Sequence, residues 1–93
     1  MYAVLMTVTI EPAQLDQAQK TLNDEIIPMV SAAPGFVTGY WLEPSDGQGV
    51  SFAVFDTEEH ARQTAPPAGA SPTPGVTIVS VEFRPVTASA SAP

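Results

Sequence analysis

Apolar residues change their spacing early in the chain, and the change predicts a strand followed by a helix. Residues 2–10 alternate, with the larger apolar side chains at the even positions, and this period of two is typical of a β-strand. Over residues 12–33 the apolar residues recur three or four positions apart, as on one face of an amphipathic helix. Pro28 lies inside that pattern and removes one backbone donor, so we expect a kink within residues 24–27.

The rest of the chain predicts a hairpin, a short helix and a last strand. Turn-forming residues separate the two strands of the hairpin. The short helix should be capped by Asp56 or Thr57 and should end before two consecutive prolines. The predicted strands cover residues 36–43, 50–55 and 76–85.

This order of elements, βαββαβ, predicts an α+β, ferredoxin-like fold. Such a domain has a four-stranded antiparallel sheet with both helices on one face. Residues 1–85 form this single domain, and residues 86–93, which are rich in Ala, Ser and Pro, are expected to be a flexible tail.

The face of the sheet that the helices leave open is expected to be half apolar. Alternation in the last strand places its odd residues under the helices and its even residues, among them Ser80, on the open face. The third strand has apolar residues on both sides, and an antiparallel sheet of that kind is usually covered on both faces. A second copy of the chain is therefore the expected partner, and two sheets would then form a dimeric α/β barrel. The expected open-face residues of the first and last strands are Ala3, Leu5, Thr7, Thr9, Ile78, Ser80, Glu82 and Arg84, the last two forming an ion pair.

Charge and composition narrow the classes of function. The 93 residues carry a net charge of −7, which disfavours nucleic-acid and membrane-surface partners. The chain has no cysteine, so neither a disulfide framework nor a Cys-type metal site is expected. The sequence also shows no cluster of other metal-ligating residues, and no metal is expected. A soluble cytoplasmic protein is the expectation, and abundant alanine and proline are typical of bacterial proteins from GC-rich genomes. An RNA-recognition module of the same topology is disfavoured because Gln48 and Val50 stand where a basic and an aromatic residue are needed.

Candidate functional residues are few, and the aromatic pair Tyr40 and Trp41 leads them. Neighbours on a strand point to opposite faces, so one of the two belongs to the core and the other to a cavity or a partner. The hairpin does not fix which is which. His60, the single histidine, is a weaker candidate, because acidic and basic neighbours favour a solvated position on the helix. The full set of candidate cavity-lining residues is Thr7, Tyr40, Trp41, Phe55 and Ser80.

Three stretches, IIPMVSAAPGF (26–36), VTGYWLEPSDGQGVSFAVF (37–55) and DTEEHARQ (56–63), resemble the dimeric α/β-barrel superfamily. Within it they are most similar to small antibiotic-biosynthesis-monooxygenase-like (ABM-like) domains. The resemblance covers residues 2–85 and implies a homodimer with a cavity beside each sheet. It also implies oxidation of a polyketide quinol without a cofactor, degradation of haem, or action on another small metabolite.

The haem-degrading branch fits poorly. Its relatives use an asparagine on the first strand, a tryptophan ending the third and a histidine late in the second helix. In this sequence the corresponding positions are occupied by Thr7 or Thr9, by Phe55 and by residues 65–68, and none of the three residue types matches. We therefore expect no cofactor and keep three hypotheses. They are a cofactor-independent monooxygenase or related enzyme on a small aromatic or lipophilic metabolite, a non-catalytic binding protein for such a ligand, and a structural homodimer.

Overall fold

The computed structural model describes residues 1–92, and they form an α+β domain. Four strands, β1 to β4, cover Tyr2–Ile10, Phe36–Trp41, Gln48–Phe55 and Val76–Pro85. Between β1 and β2 the chain is helical throughout residues 12–31, here called the first helical segment. It consists of a 3₁₀ turn, an α-helix (α1), a π-helical turn and a second α-helix (α2), at Pro12–Gln14, Leu15–Thr21, Leu22–Ile26 and Ile27–Ser31. Helix α3 covers Glu58–Thr64.

The strands form one antiparallel sheet in the order β2-β3-β1-β4. This order is compatible with a ferredoxin-like fold, so the predicted fold class is confirmed at the level of an α+β domain with a four-stranded antiparallel sheet. Strand β1 pairs along its length with β3 on one side and β4 on the other. Strands β3 and β1 are therefore the two inner strands of the sheet.

Both helical parts pack on the face of the sheet that carries the even residues of β1. The centre of this packing is Phe55, only 1% exposed, together with Val4 and Ala61 of α3. The ring of Phe36 meets that of Phe55 edge-on, with centroids 5.8 Å apart. Burial of a side chain of this size stabilises the fold by about 1.5–3 kcal/mol.

The first helical segment forms a π-helical turn at Leu22–Ile26, which overlaps residues 24–27, where the sequence predicts a kink. The amide of Ile27 donates to the carbonyl of Leu22, five residues earlier, where a regular α-helix would use the residue four earlier. Pro28 follows Ile27 directly. In a regular α-helix its ring would clash with the carbonyl group four residues earlier. The wider turn accommodates the proline and lets the helical segment continue to Ser31.

The expectation for the last strand is wrong over its first half. Thr7 pairs with Ser80 and Val8 pairs with Ile78, so Val79 has no partner on β1. This β-bulge reverses the alternation. Ile78 is therefore buried under the helices at 1% exposure, and Val79 is 52% exposed.

Other boundaries follow the prediction closely. Thr57 caps α3, its hydroxyl accepting a hydrogen bond from the amide of His60 at 3.2 Å. Residues 86–92 form neither helix nor strand, and the amide of Val86 donates to the carbonyl of Met1. Pro93, the end of the predicted flexible tail, lies outside the described residues. No helix within residues 1–92 has the length and apolar character needed to cross a membrane.

Candidate functional site

A cavity of about 580 Å³ lies between the sheet and the first helical segment. The even residues of β1 form its base, and apolar side chains of the helical segment form its roof. Its volume is in the range of small-molecule sites, which are typically about 300–1,000 Å³. The roof residues are Leu15, Ala18, Leu22, Ile26, Met29 and Val30.

The cavity exists because the helix-facing side of β3 carries small side chains. Gly49, Ser51 and Ala53 line the cavity, and they pair with Val8, Met6 and Val4 of β1 in the sheet. Phe55 then closes the end of the row. Larger residues at the same three positions would fill the space between sheet and helices, as side chains fill most protein interiors.

Trp41 forms one wall of this cavity. A second bulge, at Val37, shifts the register of β2 so that Phe36 and Trp41 face the same side of the sheet. The indole lies over Gly39, since a Cβ atom there would be 3.0 Å from Cη2 and 3.1 Å from Cζ3 of Trp41. The absence of a side chain at Gly39 therefore lets the indole lie flat along the strand.

The structure separates the candidate residues into two groups. Trp41 and Phe55 lie on the cavity side of the sheet. Thr7, Tyr40 and Ser80 lie on the opposite, open face, as their pairing in the sheet requires. The five do not form a single pocket.

The open face presents large apolar side chains. The ring of Tyr40 packs against that of Phe52, with centroids 5.4 Å apart. Tyr40 is 56% exposed and Phe52 39%, and Leu5, which pairs with Phe52 across the strands, is also exposed. The expected ion pair of the same face is confirmed, since Arg84 Nε donates to Glu82 Oε1 at 2.8 Å. We call the surface formed by Leu5, Tyr40, Val50 and Phe52 the open-face patch.

His60 lies away from the cavity, beside Asp56. Its Nδ1 is 2.6 Å from Asp56 Oδ1, and a Cβ atom on Gly35 would overlap both side chains. The hydrogen bond and charge of His60 hold the pKa of the Asp56 carboxyl below its usual value. The amide of Asp56 also donates to the carbonyl of Gly35 at 2.9 Å. This arrangement holds the start of β2 against the β3–α3 junction and accounts for the glycine in Pro34-Gly35-Phe36.

Sequence reasoning missed the residues that create the cavity. Gly49, Ser51 and Ala53 alternate with Val50 and larger residues, and this small–large alternation is the signal that could have identified a hollow side of β3. The helical stripe did identify the roof as an apolar face, but it could not show that the sheet below leaves space.

Comparison with protein-family models and with curated proteins finds no match. Within residues 1–92, no three His, Asp or Glu side chains are grouped as a metal site. The geometry of the cavity and of the open-face patch therefore carries the functional argument.

Proposed function

We propose that the protein binds a small apolar or aromatic molecule in the cavity between its sheet and the first helical segment. The observation that carries this proposal is the cavity itself, about 580 Å³ in volume in a chain of only 93 residues. Interiors are otherwise close-packed, and the space is lined mainly by aliphatic side chains and one indole. Side chains beside an empty space lack van der Waals contacts on that side, and a bound apolar ligand would supply them.

The resemblance to ABM-like domains adds a second proposal, oxidation of the bound molecule without a cofactor. The lining supports binding more strongly than turnover. Its polar side chains include Gln19, Ser51, Thr64 and Thr73, and the hydroxyl of Thr64 already donates to the carbonyl of His60. A general acid or base needs to reach the substrate within hydrogen-bond distance, and Glu43 at the hairpin end of the cavity is the carboxylate available for that role.

A homodimer is part of the proposal, with the open-face patch of one copy packed on that of another. Large apolar groups on the solvent side of an antiparallel sheet mark an interaction surface. The charges on this face, Glu82 and Arg84, neutralise each other, so the net charge of −7 lies elsewhere. Two copies can therefore meet through this face without bringing like charges together.

Binding is tested with N-phenyl-1-naphthylamine, an uncharged dye whose absorption overlaps tryptophan emission. Trp41 is the single tryptophan and lines the cavity, so bound dye should quench its fluorescence saturably. The variant Ala53→Leu puts a larger side chain into the base of the cavity and is expected to weaken binding at least tenfold while the protein remains folded.

Ala32→Leu is the matched control. Ala32 is exposed at the end of α2, so this substitution adds the same atoms outside the cavity. It should bind the dye as the wild type does. Saturable quenching that Ala53→Leu leaves unchanged would place the dye elsewhere and contradict the proposal. Oxygen uptake with a hydroquinone then tests the oxidation step. A rate of uptake no greater than that in buffer alone would contradict the proposed oxidation and leave the proposed binding intact.

A further inference from the structure

The charges around the cavity indicate which ligands it can accept. Among the described residues that line the cavity, Glu43 is the one that carries a charge at neutral pH. The described lining contains no Lys, Arg or His. Glu43 is exposed and follows Trp41 by two positions, beyond the end of β2. Both Trp41 and Glu43 line the cavity, so Glu43 adds a negative charge to the lining that the indole also forms.

The two arginines are engaged elsewhere. Arg62 on α3 donates to Glu58 at 2.8 Å and lies over the ring of Phe83, 4.2 Å from its centroid. Arg84 is paired with Glu82 at the sheet. Neither contributes to the cavity lining, so neither can neutralise an anion bound there.

Lys20, the remaining basic residue, also lies outside the lining. Lys20 is exposed on the solvated side of α1, opposite to the buried residue Ala18. A sulfonate, carboxylate or phosphate in the cavity would thus lose its hydration without gaining a cationic partner, which is costly in an apolar environment. The carboxylate of Glu43 would add repulsion.

Neutral hydrogen-bonding groups are present instead. Thr73 is 8% exposed and lines the cavity with Ser51 and Gln19. Hydroxyl and amide groups both donate and accept, so they suit a ligand with an uncharged polar group such as an arylamine, a hydroxyl or a ketone.

We infer that the cavity selects neutral apolar ligands over anions, and that Glu43 contributes to the rejection of anions. This inference rests on the proposed binding function and specifies the chemical class of its ligand. The cavity should therefore bind a neutral metabolite more tightly than an acidic metabolite of the same size and shape.

Two dyes of one ring system test the inference. N-phenyl-1-naphthylamine is uncharged, and 8-anilino-1-naphthalenesulfonate adds a sulfonate to the same anilinonaphthalene skeleton. Both are titrated against wild type by quenching of Trp41, and only binding that Ala53→Leu weakens at least tenfold is assigned to the cavity. The wild type is expected to bind the neutral dye at least about fivefold more tightly.

Glu43→Gln removes one screened charge from the cavity lining and is expected to raise affinity for the sulfonate about two- to fivefold relative to affinity for the neutral dye. Glu59→Gln is the matched control: it removes the same charge from the exposed face of α3 and should leave both affinities unchanged.

The outcomes distinguish this inference from the proposed function. Failure of the neutral dye to bind contradicts the binding function itself. Equal affinity for the two dyes leaves that function intact and overturns the charge selectivity. A preference for the neutral dye that is the same in Glu43→Gln and wild type overturns the role of Glu43.

Discussion

The bulge in β4 makes a prediction opposite to simple strand alternation. Ile78 is 1% exposed and Val79 52%, because Val79 has no partner on β1. Ile78→Ala should therefore lose both the burial of the side chain and the packing around it, at a cost of about 2–5 kcal/mol in the free energy of unfolding. Val79→Ala removes exposed atoms and should change that free energy by no more than about 0.5 kcal/mol.

Urea unfolding followed by Trp41 fluorescence measures both variants. At an m-value of about 2 kcal/mol/M, the midpoint for Ile78→Ala should fall by roughly 1–2.5 M and that for Val79→Ala should barely move. Each protein is unfolded at two concentrations, because a contribution from subunit association depends on concentration. A larger loss for Val79→Ala than for Ile78→Ala at both concentrations would refute the bulge and restore regular alternation.

Three other substitutions test separate parts of the structure. Gly35→Ala should cost about 1–3 kcal/mol more than Gly69→Ala in thermal unfolding, because both glycines have positive φ but only at Gly35 would a Cβ overlap Asp56 and His60; equal costs would contradict the contact. The Asp56 pKa is lowered in the folded state by its hydrogen bond with His60, so its contribution to stability is present above the unfolded pKa of about 4 and is lost as pH falls further. Urea titrations from pH 6 to pH 3 should show a steeper loss for wild type than for Asp56→Asn, and parallel curves would contradict the pairing. Phe52→Asp should convert the proposed dimer into a folded monomer by light scattering, and an unchanged mass together with a dimeric wild type would exclude the open-face patch as the interface.

The sequence pattern was sufficient for the order of the elements because each has a strong local signal. Alternation in residues 2–10, the helical stripe with Pro28 inside it, and the cap before α3 all depend on neighbours within a few positions. An irregularity beside Pro28 was predictable for the same reason, since a proline removes a donor wherever it occurs in a helix.

The site was less predictable because it depends on two bulges. A bulge shifts every later residue of its strand to the other face, and nothing in the alternation of β2 or β4 requires an extra residue at Val37 or Val79. The register across three strands decides that Trp41 faces the helices and Tyr40 the open face. The small residues of β3 were visible in the sequence, but the empty space above them is a property of how the helical segment is placed.

Nuclear magnetic resonance of the methionine methyl groups tests the central claim most directly. The three methionines form an internal comparison, because Met6 and Met29 line the cavity and Met1 does not. With [methyl-¹³C]methionine, N-phenyl-1-naphthylamine should shift the Met6 and Met29 signals and give nuclear Overhauser contacts to both, with Met1 unchanged. Contacts to Met1 alone, or saturable binding that leaves Met6 and Met29 unperturbed, would contradict a ligand site between the sheet and the first helical segment.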